Sequence, residues 1–243
     1  MFSKIISKYI SKLKGQSYKI DDRIPGSYLL GLIISRIVMK MRGLLSFIKA
    51  NDIPFIGRSV TLKARSKIKA GKSLSIGNHC SIDVLSVEGI TFGNNVSVGN
   101  NTKIECTGNI QHLGKGLHVG NNVGLGSDNF YGCAGGISID DDTIVGNFVS
   151  FHSENHIFTE LEKPIRLQGV SHQGISIGKN CWIGAKVTIL DGATIEDGCI
   201  IAAGAVVLAG IYKQNGIFGG VPARLIKYRD DPSHEHGNQQ QHK

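Results

Sequence analysis

The chain has 243 residues, 41% hydrophobic, 19% charged and 7% aromatic, with 27 Lys plus Arg against 19 Asp plus Glu for a formal net charge of +8. That length suits one or two domains with a sizeable core, and the apolar fraction excludes an intrinsically disordered chain. No uncharged apolar run approaches the ~20 residues that span a bilayer, and Lys4, Lys8 and Lys12 break up any signal-peptide core, so the sequence predicts a cytoplasmic protein.

The charge is concentrated at the start. Residues 1–50 hold seven Lys and three Arg against Asp21 and Asp22 alone, which is the whole excess of eight; residues 51–243 balance 17 basic with 17 acidic side chains. Phe2, Ile5, Ile6, Tyr9, Ile10 and Leu13 mark one face of a helix, and Tyr28 to Ile48 predicts a second, carrying Arg36, Lys40 and Arg42 with Gly43 as a weak point. Basic amphipathic helices lie on anionic membrane surfaces, including the inner membrane surface. The same apolar faces would serve equally to pack on this protein or on a neighbouring subunit, and the pattern does not choose. Residues 1–50 are therefore read as a basic amphipathic helical segment, 51–228 as one repeat domain, and 229–243 as a flexible tail.

The repeat domain declares itself through 32 glycines, about twice the usual share. Ile177, Ile183, Ile189, Ile195, Ile201 and Val207 recur every six residues, and small or β-branched Cys181, Val187, Ala193, Cys199 and Ala205 stand at i+4. Upstream the pattern returns at Ile76 and Ile82, at Phe92, Val98 and Ile104, at Val119 and Leu125, and at Ile139, Val145 and Phe151, with Gly-Asn turns between. Such a period fits a mainly β, parallel hexapeptide solenoid: the aliphatic residue points inward, the i+4 residue fits a tight corner, and Asn or Gly tolerates the positive φ there. The longest break in register, 152–174, is polar and varied, which marks it as a functional loop. The five cysteines include no Cys-x-x-Cys pair, and three of them fill i+4 positions, so they read as small buried residues in a reducing compartment.

The hexapeptide period, Asn180-Cys-Trp182-Ile-Gly184 and the closing Gly219-Gly-Val-Pro-Ala-Arg224 together resemble the hexapeptide-repeat acetyltransferases, in the branch that modifies sugars and polysaccharides. The resemblance covers roughly residues 55–228 and implies a left-handed parallel β-helix, a homotrimer, and acetyl-CoA as co-substrate with no metal. It implies that His156 is the general base, with His152 in reserve. Imidazole suits that task, since a sugar hydroxyl needs a base within hydrogen-bond reach. Glu154, Glu160 or a backbone carbonyl would orient the ring. It further implies that Trp182 lines the acceptor or acetyl site, that Arg166 and Glu154 meet the acceptor, and that Gly184, Ala185, Ala203, Gly204, Arg224 and Lys227 hold the coenzyme. Lys213 would replace a phosphate-binding Lys that relatives carry and this chain lacks.

The expected reaction is O-acetylation of a sugar hydroxyl in a surface polysaccharide or its lipid-linked precursor, by direct transfer in a ternary complex. N-acetylation of an amino sugar is the nearest alternative. A zinc lyase like the gamma-class carbonic anhydrases is a third, with His118, His152 and His156 as ligands; a non-catalytic scaffold is a fourth. Nucleic-acid binding has no motif behind it.

Overall fold

The computed structural model describes residue 7, residues 19–46 and residues 52–230. Apart from Ser7, the helix expected over residues 2–13 lies outside the described residues, as does the tail from 231 on.

Residues 52–230 wind into a triangular solenoid. Its three faces are parallel sheets, and two of them run through seven strands each. The first face takes short strands such as Phe55–Ile56, Ile144–Val145, Trp182–Ile183 and Ile200–Ile201; the second takes Phe130–Gly132, Ser150–His152 and Thr188–Leu190; the third takes Ile137–Ile139, Ile175–Ile177 and Ala193–Ile195. Apart from the ribbon in the long loop and the closing antiparallel strand Arg224–Tyr228, the strands pair with those one coil away, so the six-residue repeat becomes vertical stacks: Val145 on Ile183 on Ile201, and Phe151 on Ile189 on Val207. These side chains are buried, and burying each contributes about 1.5–3 kcal/mol. The fold is the expected left-handed parallel β-helix.

The corners are polar and ordered. Asn95, Asn101, Asn122, Asp142 and Asn180 all adopt positive φ, which Asn and Asp accept more readily than other side chains. Asn side chains also tie one coil to the next. The Oδ1 of Asn78 accepts from Arg58 N, that of Asn100 from Asn78 N, and the Oδ1 of Asn147 from Ser127 N. The recurrent Gly-Asn pairs are thus both turn formers and rungs.

Partners in neighbouring coils are 18 residues apart in the regular C-terminal turns but 38 apart between Ser150 and Thr188. The difference is the loop that leaves after His152. A smaller excess, 27 residues between Asn94 and Asn121, holds the exposed insertion 107–114.

Helix α1 (Gly26–Ser46) packs beside the first coil. Gly43 is no weak point. It lies inside the helix, and a Cβ there would come within 1.9 Å of the Pro54 carbonyl oxygen. The docked side is partly basic: Arg36 and Lys40 stand over the Phe55 ring at 5.2 and 4.6 Å, and Lys40 reaches Asp52 at 3.3 Å. No described helix is long and apolar enough to cross a membrane.

Candidate active site

The long loop is anchored at both ends by buried polar side chains. At its exit Ser153 Oγ donates to the Gly132 carbonyl and accepts from Gly135 N. At its return the buried carboxylate of Asp191 accepts from Gln173 N and Gly174 N at 2.7–3.0 Å. Between the anchors Asn155–His156 pairs antiparallel with Val170–Ser171, and Ile157 N donates to Gly169 O. Gln168 closes the far end: its Oε1 accepts from Glu160 N, while its Nε2 donates to the carbonyls of Glu160 and Lys163.

His156 is therefore carried on a fixed two-residue ribbon with its side chain exposed. It lines an open cleft of about 650 Å³ together with Ile157, Phe158, Thr159, Ile165 and Ser171. An exposed imidazole on a braced arm beside an apolar wall can accept a proton from a bound hydroxyl without rearranging the backbone. Arg166 lies in the turn Ile165–Leu167 at the far side of the loop, exposed.

Glu154 points elsewhere. Its Oε2 lies 3.5 Å from His172 Nε2, and its carboxylate also borders Gly108 of the insertion 107–114. Register explains the pair: with 155 opposite 171 and 156 opposite 170, residue 154 falls beside 172. His152 turns outward on the second face, its ring 5.6 Å from that of Phe130.

The residues expected to hold coenzyme lie together on a different corner, between the first and second faces. Gly184 packs so closely under Ala203 that a Cβ would come within 2.6 Å of Ala203 N, and Gly204 N donates to Ala185 O. Ala185, Ala203 and Gly204 are exposed, so backbone is the surface presented here. Above them the chain turns back: Arg224 opposes Gly219 and Lys227 opposes Ile217 in an antiparallel pair, with Arg224 exposed and Lys227 half-buried. A corner of stacked small residues ending in two cations fits an extended chain that carries phosphates. Lys213 is not on that corner; it pairs with Glu196 at 3.2 Å, between the third and first faces.

Trp182 stands on the first face, half-exposed, in a row with Ile144 and Ile200. Within one chain, then, His156 occupies the corner between the second and third faces, whereas Trp182 and the small-residue corner lie across the solenoid.

The three histidines considered for zinc are not brought together. His118 projects from the third face, opposite Thr91 and Ser138. Among the described residues no group of three His, Cys, Asp or Glu is placed to hold a metal ion.

Residues 174–209 match the family model for the bacterial transferase hexapeptide (six repeats). No curated protein matches the sequence significantly. Among solved structures, a variant of AntD, an N-acyltransferase from Bacillus cereus in complex with dTDP-4-amino-4,6-dideoxyglucose and coenzyme A, aligns over 78% of this chain and 90% of its own, at 15% identity and a TM-score of 0.50. The polySia-specific acetyltransferase NeuO aligns over 74% and 78%, at 19% identity and a TM-score of 0.40. The hexapeptide-repeat acetyltransferase VCA0836 from Vibrio cholerae aligns over 82% and 88%, at 16% identity and a TM-score of 0.36. At this identity the AntD likeness bears on fold alone. The chain carries the transferase hexapeptide repeat on a left-handed β-helix.

Proposed function

We propose that this protein is an O-acetyltransferase that moves an acetyl group from acetyl-CoA to a sugar hydroxyl of a surface polysaccharide or its lipid-linked precursor. The observation that carries this reading is His156, held exposed on a braced arm over a cleft, on a solenoid whose C-terminal turns match the transferase repeat. His156 takes the proton of the hydroxyl as its oxygen attacks the thioester carbonyl. Backbone N–H groups stabilise the oxyanion, and the tetrahedral intermediate expels the thiolate, which is reprotonated. No acyl-enzyme forms.

The placement of the parts supports the homotrimer of this reading. His156 and the small-residue corner of Gly184, Ala185, Ala203 and Gly204 lie across the solenoid from each other, so one copy's arm must meet a second copy's corner to complete a site. The apolar row of Ile144, Trp182 and Ile200 would line that junction.

The test is release of CoA from acetyl-CoA in the presence of acceptor oligosaccharide. His156→Ala should lower the rate by about 10²–10⁴ with an unchanged thermal midpoint. A folded His156→Ala protein with full activity removes the assignment. Transfer to an amino-sugar nitrogen is the second reading, since an exposed imidazole at His156 could equally take a proton from an attacking amine. Alkali-labile product supports the ester, alkali-stable product the amide.

A further inference from the structure

The solenoid is neutral as a whole but not along its length. Arg58, Lys63, Arg65, Lys67, Lys69 and Lys72 all lie in the first coil, all exposed, and Asp52 is the only acid in residues 51–82. With those six cations and one acid set aside, the 17 and 17 of residues 51–243 leave 11 basic against 16 acidic residues from 74 onward. One end of the molecule is strongly basic and the remainder is acidic. Three of the six make short contacts: Lys63 with Asp83 at 3.4 Å, Lys67 with the Ser86 carbonyl at 2.7 Å, and Arg58 with His79 at 3.3 Å.

Helix α1 sits on this same coil, and its amphipathicity is inverted. Arg36 and Lys40 face inward onto Phe55, and Leu29 and Gly43 complete the docked side. Leu30, Ile34, Ile37, Met41 and Leu45 form the outer side, each more than half exposed. A soluble helix normally buries such a stripe, and an exposed stripe of this kind marks an interaction surface. The helix contains no Asp or Glu.

We propose that the first coil and the outer side of α1 form one docking surface for an anionic lipid bilayer. The apolar stripe is suited to lie at the acyl boundary, and the exposed cations at the same end of the solenoid to meet anionic headgroups. Charge complementarity selects this occupant. A second copy docked here, in a two-fold contact or within the proposed trimer, would set basic end beside basic end, and a nucleic acid has no use for five exposed aliphatic side chains. The loop that carries His156 leaves the fifth coil, roughly 20 Å along the axis from the basic end at ~4.8 Å per coil.

The experiment is flotation of the full-length protein with phosphatidylcholine vesicles, with and without phosphatidylglycerol, at low and high salt. Binding should favour the anionic vesicles by at least about tenfold and weaken as salt screens the surface. Combined Arg65→Glu, Lys69→Glu and Lys72→Glu should lower it more than about tenfold, and combined Ile37→Gln and Met41→Gln should lower it as well. The proposal is overturned by equal partition to both vesicles, by no partition, or by unchanged binding of the charge-reversed protein. It is also overturned if the Ile37→Gln and Met41→Gln protein changes its oligomeric state with vesicle binding intact, which would give the stripe to a second copy. Retention on DNA without vesicle binding would give the surface to a polyanion instead.

Discussion

The side chains that make the long loop usable are mostly not the ones that do chemistry. Asp191 is buried against two backbone N–H groups, and Asp191→Ala should destabilise the protein by about 2–4 kcal/mol, since both donors lose their partner; urea unfolding will read this. In the sequence Asp191-Gly192 looks like an ordinary turn, because nothing local shows that the return strand of a loop lies above it. The loop that carries His156 was legible as the longest break in register, whereas the Glu154–His172 pair depends on a ribbon register that no periodicity reveals. The buried thiols add a pH dependence. Burial pushes Cys181 from the ordinary value of 9.0 up to about 11, and it raises Cys80, Cys133 and Cys199 as well. The folded state therefore holds these protons more tightly than the unfolded chain. That contribution is fully present below pH 9 and is lost as pH rises through 11. From Cys181 alone the loss is roughly 2–3 kcal/mol. Unfolding midpoints should fall steadily across this window, and Cys181→Ala should flatten the fall.

At the scale of elements, the hexapeptide strands were readable because a stacked coil demands one inward aliphatic residue in six, and the corners because few residues tolerate positive φ. Helix α1 was readable in its existence but not in its orientation. Its composition allowed either face to dock, and the choice was made by contact with Pro54 and Phe55 of the first coil. Gly43 separates propensity from packing. In an exposed helix Gly→Ala stabilises by about 1 kcal/mol. Here the Cβ would strike the Pro54 carbonyl oxygen, so Gly43→Ala should destabilise by about 1–3 kcal/mol and loosen α1 towards limited proteolysis. The loop gives a second test. Gln168 holds Glu160 and Lys163 through three hydrogen bonds at the exposed end of the arm. Gln168→Ala should lower transferase activity about tenfold with little change in unfolding midpoint, because the solenoid core does not include it.

The whole molecule brings the parts into relation. Composition showed a neutral solenoid behind a basic segment, and that much was correct as a sum. It could not show that the six cations of the first coil stay at one end of the solenoid, because coil order becomes spatial order only once the chain winds. Nor could it show that Trp182 and His156, 26 positions apart in the sequence, lie on opposite sides of the protomer. If two copies build each site, mixing inactive proteins should restore function. A His156→Ala chain refolded with an Ala203→Trp chain should regain a substantial fraction of wild-type activity, while either alone stays inactive; no recovery despite mixed oligomers would place the whole site in one chain. The reaction proposed for this protein is acetyl transfer through His156 to a surface sugar. It is tested most directly by mass spectrometry of the surface polysaccharide from cells that lack this protein and are complemented with either the wild-type or the His156→Ala chain. One acetyl increment per modified sugar is expected with the wild type and none with His156→Ala or the deletion. An acetyl content that the deletion does not change, or that His156→Ala fully restores, would contradict it.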